Sequence, residues 1–545
     1  MITSMRNSEI DVVITMDGKQ MHLKARGGRR LKELLCDAGI SVSMPCGGNG
    51  RCGKCVVTFM SGAPKAGTLD RNFLSDEEIL AGKRLLCRCV LESDCVIDLS
   101  GSVCASEEKM VAEGVESSGE VDASDCDKFG IAVDIGTTTV VAALVGRCKG
   151  REEMLANAVG DRDSGCVVLD TRAVVNHQRR FGADVISRID AASDAGVRAQ
   201  LQDLILSDIG SLISQLITDN QVKELSQVLI SGNTTMIYLL QGFDTTSLGV
   251  YPYRAEQLNK VVAGTSLGEL FRERARIPGE AKVRILPGIS AFVGSDIVSG
   301  IYYLGFSGAR KSLFIDLGTN GEMAYYDGKE LRVTSTAAGP VFEGGGISCG
   351  VASVPGAICS VTIDVESAVY KTIGGEAPVG LCGTGVIEAV AELRRNNLIN
   401  SDGLLIDNYF EAGFTLAEKS DGSPITITQK DIRSVQLAKA AINAGMDTLL
   451  SGDKPDIIYI AGGFGAGLNE EKIRGIRLFS PDYCDNINVV GNSSLKGAIK
   501  YLEMTLLGKE EEEKQRLAEI TDRAKEIVLA GEESFDERYM DALGF

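Results

Sequence analysis

Apolar and polar positions alternate along the N-terminal part of the chain. In DVVITMDGKQMHLKA, from Asp11, they take turns around Asp17-Gly18, the period-two signature of a β-hairpin. RRLKELLCDAG then reads as one helix, CVVTF as a strand, and CVIDL as a closing strand. Ser75 and Glu78 form a capping box for a short helix ending near Gly82. From about Ser100 to Asp127 the pattern stops. The segment is acidic, rich in small residues and without aromatics, which predicts a linker. Beyond it a motif recurs. FGIAVDIGTTTVVAALV, from Phe129, and KSLFIDLGTNGEMAYYDG, from Lys311, each spell a strand, an Asp-x-Gly-Thr turn and a second strand. GLCGTGVIEAVAEL, from Gly380, is a glycine turn opening a helix, and IIYIAGGFGAGL, from Ile457, is an apolar strand running into glycines. KEEEEKQRLAEITDRAKEIVLAGEE predicts one charged helix with a solvated face and intrahelical ion pairs.

The N-terminal pattern encloses four cysteines, Cys46, Cys52, Cys55 and Cys87, with spacing C-x5-C-x2-C and then 31 intervening residues. Ferredoxins hold a [2Fe–2S] cluster with thiolates in this order, three on one loop and one distant. The plant-type spacing has four residues in the first gap, so the five here resemble the adrenodoxin-like branch. Gly47, Gly48, Gly50 and Gly53 let the backbone wrap closely and aim N–H groups at cluster sulfurs. Only one C-x2-C is present, which disfavours structural zinc. GNGRCGK has Cys55 where a P-loop needs Ser or Thr. Cys87 is preferred as fourth ligand because RLLC resembles the RLAC run of this ferredoxin class; Cys89 is the fallback.

The repeated D-x-G-T turns have a phosphate logic. Asp134 and Asp316 stand 182 residues apart, which suggests duplicated lobes. Gly136 and Gly318 let backbone N–H groups approach phosphate, while Thr137, Thr138, Thr319 and Asn320 add donors. An Asp at a strand end can hold Mg²⁺ through water. Gly383 opens a helix N-terminus suited to phosphate. The glycines after Ile457 have the wrong spacing for a dinucleotide fingerprint.

Composition narrows the function classes. A chain of 545 residues has room for three or four folding units. Lys plus Arg is 56 against Asp plus Glu at 75, net −19, which argues against a nucleic-acid partner. No apolar run reaches the length of a membrane span. Neither a signal peptide nor a membrane partner is expected, and fifteen cysteines point to a reducing cytoplasm. Two histidines, His22 and His177, and no tryptophan make histidine-based triads a poor prospect.

Gly462, Gly463 and Gly465 are similar to the adenosine-binding turn of the actin, sugar-kinase and Hsp70 superfamily, and GNSSLKGAIKYL, from Gly491, to its connecting helix. A ferredoxin followed by this fold resembles the reductive activators of corrinoid proteins. NHQRRFGADVISRI, GNTTM, FVGSDIVSG, LFIDLGTNGE, AAGPVFEGGGI, DIRSVQLAKAAI and AGGFG carry the likeness over nearly the whole chain. The resemblance implies a multidomain α/β and α+β architecture: a β-grasp ferredoxin over 1–100, the acidic linker over 101–127, a first lobe of an actin-like (RNase H-like) ATPase over 128–310, a second over 311–508, and the charged helix over 509–545. It implies ATP-dependent reduction of cobalt from Co(II) to Co(I) in a corrinoid protein of a methyltransferase system, served by a low-potential electron donor, with a homodimer left open. That couple is very reducing, whereas a plant-type [2Fe–2S] centre lies near roughly −400 mV. A shortfall of about 200 mV is on the order of 5 kcal/mol per electron, a reason for ATP. The roles implied are Cys46, Cys52, Cys55 and Cys87 for the cluster, Asp134 and Asp316 with their glycines and hydroxyls for phosphate and Mg²⁺, Glu322 to orient water, Gly462 and Gly463 against adenosine, and Glu343 at the partner contact or a switch. Two other classes remain: a small-molecule kinase with a regulatory cluster, and a redox or nucleotide sensor without turnover.

Overall fold

The computed structural model describes residues 9–16, 19–38, 40, 44, 48, 50, 53–99, 121–148, 165–258, 281–364, 367–462, 469–480, 483, 486–532 and 534–545. Cys46, Cys52, Gly463 and most of the acidic linker, 101–120, lie outside the described residues. The chain forms two compact units, Met1–Glu108 with Asn176–Leu204, and Lys109–Val175 with Ile205–Phe545.

In the first unit, β1 (Glu9–Met16) pairs antiparallel with β2 (Lys19–Arg26), Met16 opposite Lys19, the register that a hairpin at Asp17-Gly18 requires. Ile10, Val12 and Ile14 face inward, so the alternation read from the sequence is the alternation of burial. Helix α1 (Leu31–Asp37) lays Leu31, Leu34 and Leu35 into the same core. β3 (Val56–Ser61), α2 (Asp76–Leu80), β4 (Lys83–Leu85) and β5 (Cys95–Asp98) complete a sheet of order β2-β1-β5-β3-β4. β5 runs parallel to β1, the crossover of a β-grasp. The Ser75–Glu78 capping box forms as expected, with the Glu78 N–H donating to Ser75 Oγ at 3.2 Å and the Ser75 N–H to Glu78 Oε2 at 3.0 Å.

The second unit contains two sheets of one plan. In the first, β6 (Cys126–Ile135), β7 (Thr139–Cys148), β8 (Cys166–Val175), β9 (Gln227–Gly232) and β10 (Lys282–Ile285) lie in the order β8-β7-β6-β9-β10, three antiparallel strands followed by two parallel ones. Helices α3 (Thr234–Gln241) and α4 (Ser295–Leu304) follow β9 and β10. The second sheet repeats the plan with β11 (Ser312–Leu317), β12 (Gly321–Tyr326), β13 (Leu331–Thr336), β15 (Ile457–Ala461) and β16 (Ile487–Gly491), order β16-β15-β11-β12-β13; β14 (Ala357–Asp364), α5 (Gly383–Arg395) and α6 (Gln429–Leu450) are inserted between β13 and β15. Central strands buried on both faces need continuous apolar runs, and Ile131, Ala132, Val133, Leu313, Phe314 and Ile315 are all fully buried. The two sheets of one plan are the duplicated lobes suggested by the two Asp-x-Gly-Thr turns, and they agree with the actin-like fold that the resemblance implies.

Helix α7 (Ser493–Leu506) leaves the second sheet and packs on β6, β7 and α4. The approach is close. A Cβ on Gly497 would sit 2.0 Å from the Ser299 carbonyl oxygen, and one on Gly300 would sit 2.7 Å from the Phe314 ring. Glycine at these positions lets the two helices lie between the sheets.

Two expectations change. The C-terminal stretch is not one helix. α8 (Glu510–Arg523) ends, β17 (Ala524–Glu526) adds to the edge of the second sheet parallel to β13, and α9 (Phe535–Asp541) packs on α6. The cause is an apolar stripe, Leu517, Ile520 and Ala524, that the charge count hides. Even Glu513 is buried, accepting from the Tyr302 hydroxyl and from Arg516. The last residues are held by the buried Lys439, whose ammonium donates to the carbonyls of Ala542 and Gly544. Second, Cys126 and Cys148, opposite each other in β6 and β7, form a disulfide that a wholly reduced cysteine set did not anticipate.

Candidate functional site

The two D-x-G-T turns close tight hairpins that face one cleft. In β6–β7 the register ends at Ile135 opposite Val140, and the Gly136 N–H donates to the Thr139 carbonyl at 2.9 Å. In β11–β12 it ends at Leu317 opposite Gly321, and the Gly318 N–H donates to the Asn320 carbonyl at 3.1 Å. Both aspartates end their strands with the threonines one turn beyond. The cleft holds about 210 Å³. Asp134, Gly136, Thr137, Thr138, Asp316, Gly318, Thr319, Asn320, Glu322 and Gly462 all line it, so the residues predicted on separate motifs are brought together.

The lining contains five carboxylates, Asp134, Asp296, Asp316, Glu322 and Glu343, and no lysine, arginine or histidine among the described residues. Burial raises the affinity of each of the first four for a proton. It pushes Asp134 up against the pull of its donors, Ser494 Oγ at 2.6 Å and Asn492 Nδ2 at 2.9 Å. Asp296 is pushed up to about 7, by burial first and then by the Asp134 charge. Asp316 and Glu322 are also raised well above the ordinary carboxylate range, by burial and then by the neighbouring carboxylates, Asp296 foremost; the Asn320 amide, 3.2 Å from Glu322, partly offsets the latter. Negative charge concentrated in a pocket without a cation is relieved by protons or by a metal ion. Hydroxyl and backbone donors on the same turns suit phosphate. The donor set therefore fits a magnesium–nucleotide pair.

Several site residues were not singled out in the sequence. Asn233, within GNTTM, donates from Nδ2 to Thr137 Oγ1 at 3.2 Å and caps α3. Asp296 lies within FVGSDIVSG, and Asn492 and Ser494 within GNSSLKG. Each motif is a strand end meeting a helix start, the signal that could have marked them. Glu343, expected at the partner contact or a switch, lies in the lining of the cleft. Gly383 is not among the lining residues. A Cβ there would meet the Phe342 carbonyl oxygen at 1.7 Å, so the bare helix start lets the segment carrying Glu343 lie against it.

In the first unit the described ligand candidates are Cys55 and Cys87, both buried. Cys55 precedes β3 and Cys87 follows β4, strands paired with Val56 opposite Leu85, and the Leu86 N–H donates to the Cys55 carbonyl at 2.8 Å. Register therefore sets the two cysteines side by side. A Cβ on Gly48 would lie 3.6 Å from Cys87 Cβ, so the glycine loop reaches this cysteine. Gly48, Gly50 and Gly53 all have positive φ, which the wrap of the loop uses. The Cys89 thiol donates to the Leu85 carbonyl at 3.5 Å within the core. Loop and thiols fit an iron–sulfur cluster.

Comparison with known proteins agrees. Residues 14–92 match the 2Fe-2S iron-sulfur cluster binding domain, 129–309 the RACo middle region, and 310–545 the C-terminal domain of RACo, the ASKHA domain. The chain is similar to the corrinoid activation enzyme RamQ of Eubacterium limosum, 33% identical over 70% of this chain and 65% of that protein. It thus spans just under two thirds of that relative's length. It is 27% identical to a [Co(II) methylated amine-specific corrinoid protein] reductase of Methanosarcina barkeri over 67% of this chain and 70% of that one. A solved reductive activator for corrinoid, iron-sulfur protein superposes with a TM-score of 0.64 at 28% identity, covering 98% of both chains. No described helix is long and apolar enough to cross a membrane.

Proposed function

The chain belongs to the RACo family, and from that membership we propose that it reactivates corrinoid proteins of methyltransferase systems, reducing their cobalt from Co(II) to Co(I) in an ATP-dependent reaction. The observation that carries the reading is one chain holding both a cysteine–glycine cluster loop and a cleft built from two facing Asp-x-Gly-Thr hairpins. Cys46, Cys52, Cys55 and Cys87 would hold a [2Fe–2S] cluster, which supplies one-electron transfer when bound. Cys87 is favoured over Cys89 because it faces the loop while Cys89 is engaged with Leu85. A low-potential donor must refill the cluster, and the reaction belongs in the cytoplasm.

In the cleft, Asp134 and Asp316 would hold Mg²⁺, and Gly136, Gly318, Thr137, Thr138, Thr319 and Asn320 would receive phosphate. Gly462 lies against adenosine, with Gly463 beside it. Asn492 and Ser494 donate to Asp134 and favour its ionised form against burial. Glu322 and Asp296 are placed to accept a proton from attacking water, and their raised proton affinity suits that task. The energy released on nucleotide binding or hydrolysis reaches the partner through relative movement of the two sheets, to which α4 and α7 are joined.

The test is anaerobic. Reconstituted protein, reductant and a Co(II) corrinoid methyl carrier are mixed with and without ATP, and Co(I) is followed by its visible spectrum. ATP-dependent Co(I) that disappears in Asp316→Asn supports the reading. ATP turnover without cobalt reduction on several carriers removes it in favour of a kinase.

A further inference from the structure

Glu343 stands where a phosphate would have to go. Its Oε2 accepts from Thr319 Oγ1 at 2.9 Å and from Thr138 Oγ1 at 3.4 Å. One carboxylate oxygen thus engages a hydroxyl from each phosphate turn, 24 residues away on one side and 205 on the other. Its second oxygen, Oε1, lies 3.8 Å from where a Cβ on Gly318 would be, over the bare backbone that the glycine leaves open. These are the donors and the concavity that a phosphate group needs. A carboxylate and a phosphate oxygen are both acceptors and both negative, so they cannot share these hydroxyls.

The turn that carries Glu343 is bounded by glycines, while Val341, Phe342 and Ile347 around it are buried in the core. Glu343 ends a short 3₁₀ turn, Pro340–Glu343, flanked by Gly339, Gly344 and Gly346, all at positive φ. At positive φ a glycine takes a backbone conformation that other residues adopt only with strain. Beyond these glycines the segment is anchored. The Ser348 N–H donates to Asp431 Oδ1 at 2.7 Å, and Asp431 in turn closes the capping box at the start of α6. Movement at Glu343 therefore has a fixed helix to pull against.

We propose that Glu343 is a positioning residue that competes with nucleotide phosphate. Its carboxylate ties the two phosphate turns together through Thr138 and Thr319. Phosphate displaces it, and the released Gly339–Gly350 segment carries the news of occupancy to α5 and α6. This rests on the ATP-binding reading of the cleft and adds to it the residue that senses the phosphate. The expected sign is unusual. Removing a residue that merely supports a binding loop weakens binding, whereas removing a competitor strengthens it.

The experiment measures the affinity of the full cluster-loaded protein for magnesium and a non-hydrolysable ATP analogue by titration calorimetry, for wild type and Glu343→Gln. The amide keeps the size but loses the charge and is a weaker acceptor. The expected result is analogue binding about five- to tenfold tighter in Glu343→Gln, a gain of roughly 1 kcal/mol at 1.4 kcal/mol per tenfold, with less difference between cobalt reduction with and without ATP. Unchanged or weaker binding overturns the inference, the latter marking Glu343 as a support for magnesium or for the loop. Wild-type protein that binds no nucleotide removes the reading beneath it instead. A second measurement needs no variant. Amide hydrogen exchange across Gly339–Gly350 in wild type should become faster when the analogue is added. Exchange that stays the same or slows contradicts displacement.

Discussion

Ser494→Ala tests how the cleft keeps its first aspartate charged. Asp134 is half-buried, and its desolvation favours the protonated form. Two side chains from the start of α7 oppose this, Ser494 Oγ at 2.6 Å and Asn492 Nδ2 at 2.9 Å. Ser494 Oγ also lies 2.7 Å from Ser231 Oγ, so one methyl-for-hydroxyl change removes a donor to a carboxylate and a partner from a buried hydroxyl. A hydrogen bond to a charged group contributes about 1.5–3 kcal/mol. Its loss leaves burial less opposed and raises the proton affinity of Asp134 further. Magnesium needs the ionised carboxylate, so its nucleotide complex should bind about tenfold or more weakly at neutral pH. The deficit should shrink as pH rises, because added base restores the charge that Ser494 no longer protects. Calorimetric titration of magnesium–ATP analogue between pH 6.5 and 8.5 on wild type and variant, at about one-unit spacing, resolves a deficit of this size. Binding within twofold of wild type at every pH would refute the account of Asp134 as a metal-holding carboxylate maintained from α7.

Three further outcomes follow. Gly383→Ala should destabilise the nucleotide-free protein by about 1–3 kcal/mol, read as a lower Tm, because the Cβ meets the Phe342 backbone at 1.7 Å; an unchanged Tm with lost nucleotide binding would restore the phosphate role. Asp296 titrates at about 7 in the folded state against 3.8 when solvated, so between those values the folded state holds a proton that the unfolded state lacks. Nucleotide-free stability should therefore fall as pH rises through that window, with magnesium–nucleotide recovering it, and a Tm that rises with pH instead contradicts the assignment. Cys87→Ala should lose the visible absorption of the reconstituted cluster while Cys89→Ala keeps it; the reverse pattern would exchange the two.

Much of this was legible in the chain because the relevant constraints are local. A hairpin turn, a strand end and a cluster loop each demand particular residues at fixed spacing, and Asp134, Asp316, Thr138 and Thr319 line the cleft as their motifs implied. What could not be read depends on contacts between distant segments. Glu343 reaches Thr138 across 205 residues, and no local rule announces it. Gly383 shows the opposite failure. A glycine before a helix signals phosphate or close packing equally well, and no local rule announces how near the Phe342 carbonyl comes. The C-terminal segment misled by charge. Its many acidic residues suggested a solvated helix, while Leu517, Ile520 and Ala524 carried the packing. Asp296 and Ser494 were inside quoted motifs but had no role assigned, since their meaning arises only when α4 and α7 bring them to the cleft.

The central claim is that nucleotide in the cleft governs delivery of the electron. The most direct measurement takes the full chain with its cluster already reduced, adds a Co(II) corrinoid methyl carrier without further reductant, and follows Co(I) in a stopped-flow spectrophotometer with and without magnesium–ATP. The account predicts little Co(I) without nucleotide and a rapid rise with it, matched by oxidation of the cluster and lost in Asp134→Asn. Co(I) appearing at the same rate in both cases would contradict it.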